Sequence, residues 1–153
     1  DIFNILLHNP DIKFDKKNST FADVYCGSGS IGIEALSRGF KHCHFNDIDN
    51  AQIKKISIFL KNFTNLNYNL SDIDIDNELN QIPWSNFDVI YFDPPYEIKL
   101  EPIILKKIEK IKNQAIVITE TSHKIFETAQ STYSKSYKNK FINFFFAKDL
   151  KKL

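Results

Sequence analysis

Residues 92–96, Phe92-Asp93-Pro94-Pro95-Tyr96, set a carboxylate beside a backbone carbonyl with no competing donor from either proline. Two acceptors converging on one point suit an NH₂ group. An exocyclic amine on a nucleobase is a weak nucleophile because its lone pair is delocalised into the ring, and it reacts with a methyl donor only when held in line and drawn towards pyramidal geometry. Asp93 accepts one N–H and the Pro94 carbonyl the other, while Pro95 restricts Pro94 and so aims that carbonyl. Tyr96 adds a flat face for an unstacked base, a contact worth roughly 1–3 kcal/mol. In-line positioning supplies up to about 7–11 kcal/mol of barrier reduction.

A second constellation lies upstream. All 4 glycines of the chain, Gly27, Gly29, Gly32 and Gly39, fall in or just after one stretch, VYCGSGSIGIEALSRG. Gly27-Ser28-Gly29-Ser30-Ile31-Gly32 fits the pattern G-x-G-x-x-G, in which glycines let the backbone approach a ligand and let a helix pack closely on a strand. Asp47 follows at the spacing of a ribose-binding carboxylate. Nicotinamide dinucleotides and S-adenosylmethionine both present such a ribose, so the pattern alone does not choose between them. Asp23 favours S-adenosylmethionine: a carboxylate early in the loop meets an ammonium group, whereas a dinucleotide site keeps its anion-binding end uncharged.

The elements that must position these groups alternate along the chain. Apolar runs at 21–26, 42–45, 67–70, 87–92 and 115–119 predict strands. Helical spacing predicts helices over 2–7, 31–37, 51–63, 75–82 and 100–111, the second closed by Gly39. Strands alternating with helices imply a mostly parallel sheet covered on both faces, with ligands bound beyond the strands' carboxyl ends. Residues 132–137 and 141–147 read instead as an antiparallel hairpin closing the sheet edge. The expected fold class is therefore α/β and Rossmann-like, as one domain over residues 1–153.

Composition bounds the reading. With 153 residues, 42% hydrophobic and 14% aromatic, the chain has the makings of an ordered domain. No apolar run approaches the roughly 20 residues of a membrane span. Cys26 and Cys43 have no metal-ligand spacing, and no metal is expected. His8, His42, His44 and His123 form no ligand or triad spacing either. Together these features predict a cytoplasmic protein. The chain has no methionine, from which residues are expected to precede Asp1 in the translation product. A net charge of +1 gives no global pull towards nucleic acid, although lysines gather in the last third and around Lys13, Lys16 and Lys17. Arg38, the only arginine, suits either a phosphate or a helix end, and Phe144, Phe145 and Phe146 suit edge cover better than base stacking.

The run from Asp23 to Gly39, together with Asp93-Pro94-Pro95-Tyr96, resembles the RsmD-like bacterial family that methylates guanine N2 in 16S ribosomal RNA. The likeness extends from Phe3-Asn4-Ile5-Leu6 to Thr119-Glu120. It implies a class I methyltransferase fold, S-adenosylmethionine as cofactor and ribosomal RNA, in a small-subunit particle, as partner of a monomeric enzyme. By that resemblance Asp23, Tyr25, Cys26, Gly27, Ser28 and Gly29 hold the methionine end and Asp47 with Ile48 the ribose. Asp72 with Ile73 faces the adenine, with Asp74 or Asp76 as alternatives, and Asp93, Pro94, Pro95 and Tyr96 form the catalytic loop. Acceptor chemistry alone also admits an adenine-N6 methyltransferase. A nicotinamide-dependent dehydrogenase leaves the Asp-Pro-Pro-Tyr loop unexplained, and a silent RNA-binding module leaves it unused.

Overall fold

A computed structural model describes residues 1–153. Helix α1 (Ile2–His8) is capped by the Asp1 carboxylate, which accepts the Phe3 N–H. It precedes β1 (Thr20–Asp23), α2 (Ser30–Ser37), β2 (His42–Asn46), α3 (Asn50–Leu60) and β3 (Tyr68–Ser71). There follow β4 (Val89–Phe92), α4 (Leu100–Lys107), β5 (Ile116–Thr121), β6 (Tyr133–Tyr137), β7 (Lys140–Phe146) and the short α5 (Ala147–Leu150). The strands form one sheet in the order β3-β2-β1-β4-β5-β7-β6. Strands β1 to β5 are parallel, and β7 runs antiparallel between β5 and β6. Strand order reverses between β1 and β4, where such sheets bind ligands.

Both faces are covered. Val89, Tyr91, Ile116 and Ile118 pack on one side against α1, α2 and α3, while Ile90, Phe92 and Val117 pack on the other with Trp84, Ile104 and Phe145. Alternation along each strand divides these two sets. Phe144 and Phe145 are fully buried core residues, which agrees with edge cover and leaves no face for base stacking. Arg38 bonds Glu34 at 2.8 Å, lies 3.5 Å from Asp1 and stands over the Phe3 ring, so it ties α2 to α1. No helix is long and apolar enough to cross a membrane.

Three predicted helices are shorter than their periodicity suggests; the one over 100–111 is α-helical to Lys107 and ends in a tight turn at Ile108–Lys110. Over 75–82 only a single tight turn forms at Ile75–Asn77. There the Glu78 carboxylate accepts the N–H groups of Gln81 and Ile82, the Trp84 indole N–H and the Lys107 ammonium, and so replaces helical bonds with a buried polar knot. Helix α3 stops at Leu60: Phe59 and Phe63 pack on each other at a tilt, half exposed, rather than joining the core, and Asn65 turns the chain at φ 64°.

The close approach of α2 to β2 depends on Gly32. A Cβ there would stand 2.3 Å from Phe45 Cε1 and 2.9 Å from Cys43 Sγ. Gly32→Ala is therefore expected to cost about 1–3 kcal/mol through forced repacking, seen as a lower midpoint in urea denaturation with an unchanged slope.

Candidate active site

Strands β1 and β4 end side by side, with Asp23 paired to Tyr91. Beyond them opens a cleft of about 660 Å³, lined by Asp23, Tyr25, Cys26, Gly27, Ser28, Ser30 and Ile31 from the first strand-helix junction. Asn46 ends β2 with Asp47 and Ile48 after it, Ile73 to Asp76 follow β3, and Asp93, Pro94, Pro95, Glu97 and Ile98 follow β4. A cleft of this size suits a ligand of nucleoside dimensions.

Asp23 is almost wholly buried and accepts the Gly32 N–H of α2 at 3.0 Å. Burial raises its pKa from 3.8 to about 7, with Asp93 and Asp47 adding to the rise and the Gly32 hydrogen bond opposing it. A buried carboxylate at the wall of a cleft, with only one donor, is suited to meet a cation. Gly27 adopts φ 52°, and nothing stands within 4 Å of where its Cβ would be, so the loop offers bare backbone to the cleft. The Gly27 N–H donates to Asp47 Oδ2 at 2.7 Å, and Asp49 N–H to its Oδ1, which orients the second-strand carboxylate. Asn46 braces this end, donating to the Val24 and Ile73 carbonyls while accepting from Ser71 and Ile73. Gly29 turns the chain at the start of α2 and is not part of the lining. Asp72 lies outside the lining and accepts from Asn50, whereas Ile73, Asp74 and Asp76 lie within it. After β3 the cleft is thus lined by residues one to four positions beyond Asp72.

The Asp93-Pro94-Pro95-Tyr96 loop leaves β4 directly. The Pro95 carbonyl accepts the Ile98 N–H at 3.1 Å, which closes the turn, while the Pro94 carbonyl accepts no backbone N–H. Tyr96 is 78% exposed, so its ring face is available. Burial raises the Asp93 pKa from 3.8 to about 6; Glu120 raises it further, and Lys140 and the Tyr91 hydroxyl oppose this. A second cleft, of about 180 Å³, lies on the other side of the loop, lined by Asp93 to Tyr96, Ile98, Glu120 to His123, Asn139 and Lys140. Asp93, Pro94, Pro95 and Ile98 belong to both clefts. The loop is the wall between two chambers.

Sequence reasoning missed Tyr91, Glu120 and Lys140. Tyr91 reads as one more apolar strand residue, yet its hydroxyl bonds Glu120 and lies 3.5 Å from Asp93 Oδ2. Burial first, then Asp93 and Glu120, push its pKa up, so it stays a donor. Glu120 had one available signal, a carboxylate at the carboxyl end of an apolar strand. The histidines are not assembled: His44 packs on Phe87 and bonds Ser71, and His123 alone reaches either of these two clefts. No group of His, Cys, Asp and Glu side chains has the arrangement of a metal site.

Burying Asp23 has a measurable cost. With its pKa about 7 when folded against 3.8 when free, its contribution to stability is complete below pH ~4 and is lost as pH rises through ~7. Asp23→Asn keeps an acceptor for Gly32 and no longer titrates. It is expected to melt well above the parent at pH 8, by several °C, and close to it only at pH ~4, by thermal denaturation at both pH values.

Residues 1–145 match the family described as Conserved hypothetical protein 95. The chain is 35% identical over 107 residues, 65% of its length and 54% of the relative's, to ribosomal RNA small subunit methyltransferase D of Haemophilus influenzae. It is 31% identical over 105 residues, 64% of its length and 50% of the relative's, to the protein of that name in Buchnera aphidicola. The chain spans about half the length of the curated relatives it matches. Its fold is shared with an RNA methyltransferase from Salinibacter ruber solved in complex with S-adenosyl-L-homocysteine, at TM-score 0.65 and 15% identity over 94% of this chain and 88% of that one. Family match, sequence likeness and sheet order agree: the chain belongs to the Conserved hypothetical protein 95 family, the RsmD family.

Proposed function

We propose that the protein transfers a methyl group from S-adenosylmethionine to the exocyclic N2 amine of a guanine in 16S ribosomal RNA. The observation that carries this reading is the shared wall: Asp93, Pro94 and Pro95 line both the larger and the smaller cleft, so a donor on one side and an amine on the other would meet there. The named relatives support ribosomal RNA as the substrate.

The residues of the larger cleft fit the cofactor. Asp23 offers a buried carboxylate to an ammonium group, and Gly27 and Ser28 offer unencumbered backbone beside it. Asp47 suits the ribose hydroxyls, and Ile48, Ile73 and Ile75 suit the faces of an adenine, with Asp74 or Asp76 for its amine. S-adenosylmethionine supplies the electrophilic methyl group when bound. On the other side Asp93 and the Pro94 carbonyl each accept one N–H of the amine, and this directs its lone pair away from the ring plane. Tyr96 supports the base from the flank. Once the new N–C bond has formed, the nitrogen sheds a proton for which the Asp93 carboxylate is the nearest acceptor. An adenine-N6 substrate satisfies the same two acceptors; the named relatives support RNA of the small subunit, and the choice of guanine rests on the family resemblance.

Asp93→Ala is expected to lower methyl transfer by at least 100-fold, with cofactor affinity in calorimetry changed less than threefold. Transfer retained in that variant would remove Asp93 from its role. Cofactor affinity in the parent should rise with pH up to ~7 and level off above, because an ammonium ligand selects the ionised form of a carboxylate with pKa about 7. Titration between pH 5.5 and 8.5 tests this, and Asp23→Asn should bind weakly with no such slope.

A further inference from the structure

The acceptors of Asp93 and Pro94 are blind to what adjoins the amine they hold. Guanine N2, adenine N6 and cytosine N4 all offer two N–H groups. They differ at the neighbouring ring nitrogen on the Watson–Crick edge: guanine presents N1–H, a donor, whereas adenine N1 and cytosine N3 present lone pairs. A site that chooses guanine needs an acceptor there, and a donor one position further for O6.

We propose that Glu120, held by Lys140, reads N1–H of the acceptor base while Lys140 reads O6, and that this pair selects guanine over adenine and cytosine; the inference rests on the nucleobase-amine reading given above. Alternation along β5 puts Glu120 on the face of Ile116 and Ile118, the face that carries Tyr91 and, two residues on, Asp93. Asp93 and Glu120 stand where parallel strands end at the smaller cleft, and the Tyr91 hydroxyl lies against both. On β7 Ile142 pairs with Glu120, and Lys140, two residues before it, reaches back to place Nζ 3.3 Å from Glu120 Oε1. The Glu120 side chain is 16% exposed and that of Lys140 is 61% exposed, so the ion pair has an inner acceptor and an outer donor. The Tyr91 hydroxyl donates to Glu120 Oε2 and so orients the carboxylate beside Asp93 without taking up the oxygen that faces Lys140.

A carboxylate accepts and cannot donate. Against guanine it gains a hydrogen bond from N1–H; against adenine or cytosine it faces a lone pair, leaving two acceptors opposed. The Lys140 ammonium donates to O6 of guanine and would meet only a hydrogen at the corresponding adenine position. Like charge at Asp93 and Glu120 is offset by the same lysine.

The test uses the full-length protein and short RNAs around the nucleotide that labelled transfer to 16S ribosomal RNA identifies, carrying either guanosine or 2-aminopurine riboside at that position. The analogue keeps the N2 amine but has a lone pair at N1 and no O6. The parent is expected to favour guanine in kcat/KM by about tenfold or more. Glu120→Gln, whose amide can also donate, should lower that ratio by about threefold or more while Lys140 keeps the rest, and Lys140→Ala should lower transfer to guanine more than transfer to the analogue. Each ratio is internal to one variant, so partial loss of folded protein cancels. Equal use of both RNAs by the parent, or an unchanged ratio in Glu120→Gln, would overturn the inference while leaving guanine methylation in place. Label found only in adenine or cytosine of natural RNA would overturn the underlying reading and this inference with it.

Discussion

Three carboxylates stand in a row at the carboxyl ends of β1, β4 and β5, all on one face of the sheet: Asp23, Asp93 and Glu120. Like charges so placed repel, and burial removes the water that would screen them. Each is therefore held by a donor from a different element. Gly32 of α2 serves Asp23, Tyr91 of β4 leans on Glu120 and Asp93, and Lys140 of β7 neutralises Glu120. Burial first, and the neighbouring carboxylates after it, raise the pKa values of Asp23, to about 7, and of Asp93, to about 6. Packing alone would be better served by apolar side chains here, and the row makes sense if cations and amines are what it meets.

The local structure follows from the need to bring these groups to one line. Gly32 lets α2 sit so close to β2 that its N–H reaches Asp23, and the absence of a side chain at Gly27 keeps the adjoining backbone open. Pro95 closes its turn through Ile98 and leaves the Pro94 carbonyl uncommitted beside Asp93. On the opposite face of the sheet, Trp84 stacks 6.1 Å from Phe92, the residue preceding Asp93, and the Glu78–Lys107 pair pins Trp84 in turn. The rigidity of the loop thus reaches through the sheet to a buried polar knot on its far side.

The legible part of the site was local in sequence. Gly27 to Gly32 and Asp93 to Tyr96 are short runs whose residue types declare a backbone approach and an acceptor pair, and the alternation of elements gave the parallel sheet and terminal hairpin. What escaped was made by distant pairing. Glu120 and Lys140 lie 20 residues apart and meet only because β7 returns antiparallel to β5. Asp72 could not be separated from Asp74 in a run of alternating aspartates, since their difference is which side of the turn after β3 faces the cleft. The helix predicted over 75–82 failed because periodicity cannot foresee Glu78 bonding to its own backbone.

The most direct measurement is nucleoside analysis after methyl transfer from isotopically labelled S-adenosylmethionine, by the full-length protein, to under-methylated small-subunit particles, free 16S ribosomal RNA and DNA. The account predicts label in N2-methylguanosine from the ribosomal RNA. Label in N6-methyladenosine, or none in any substrate, would contradict it.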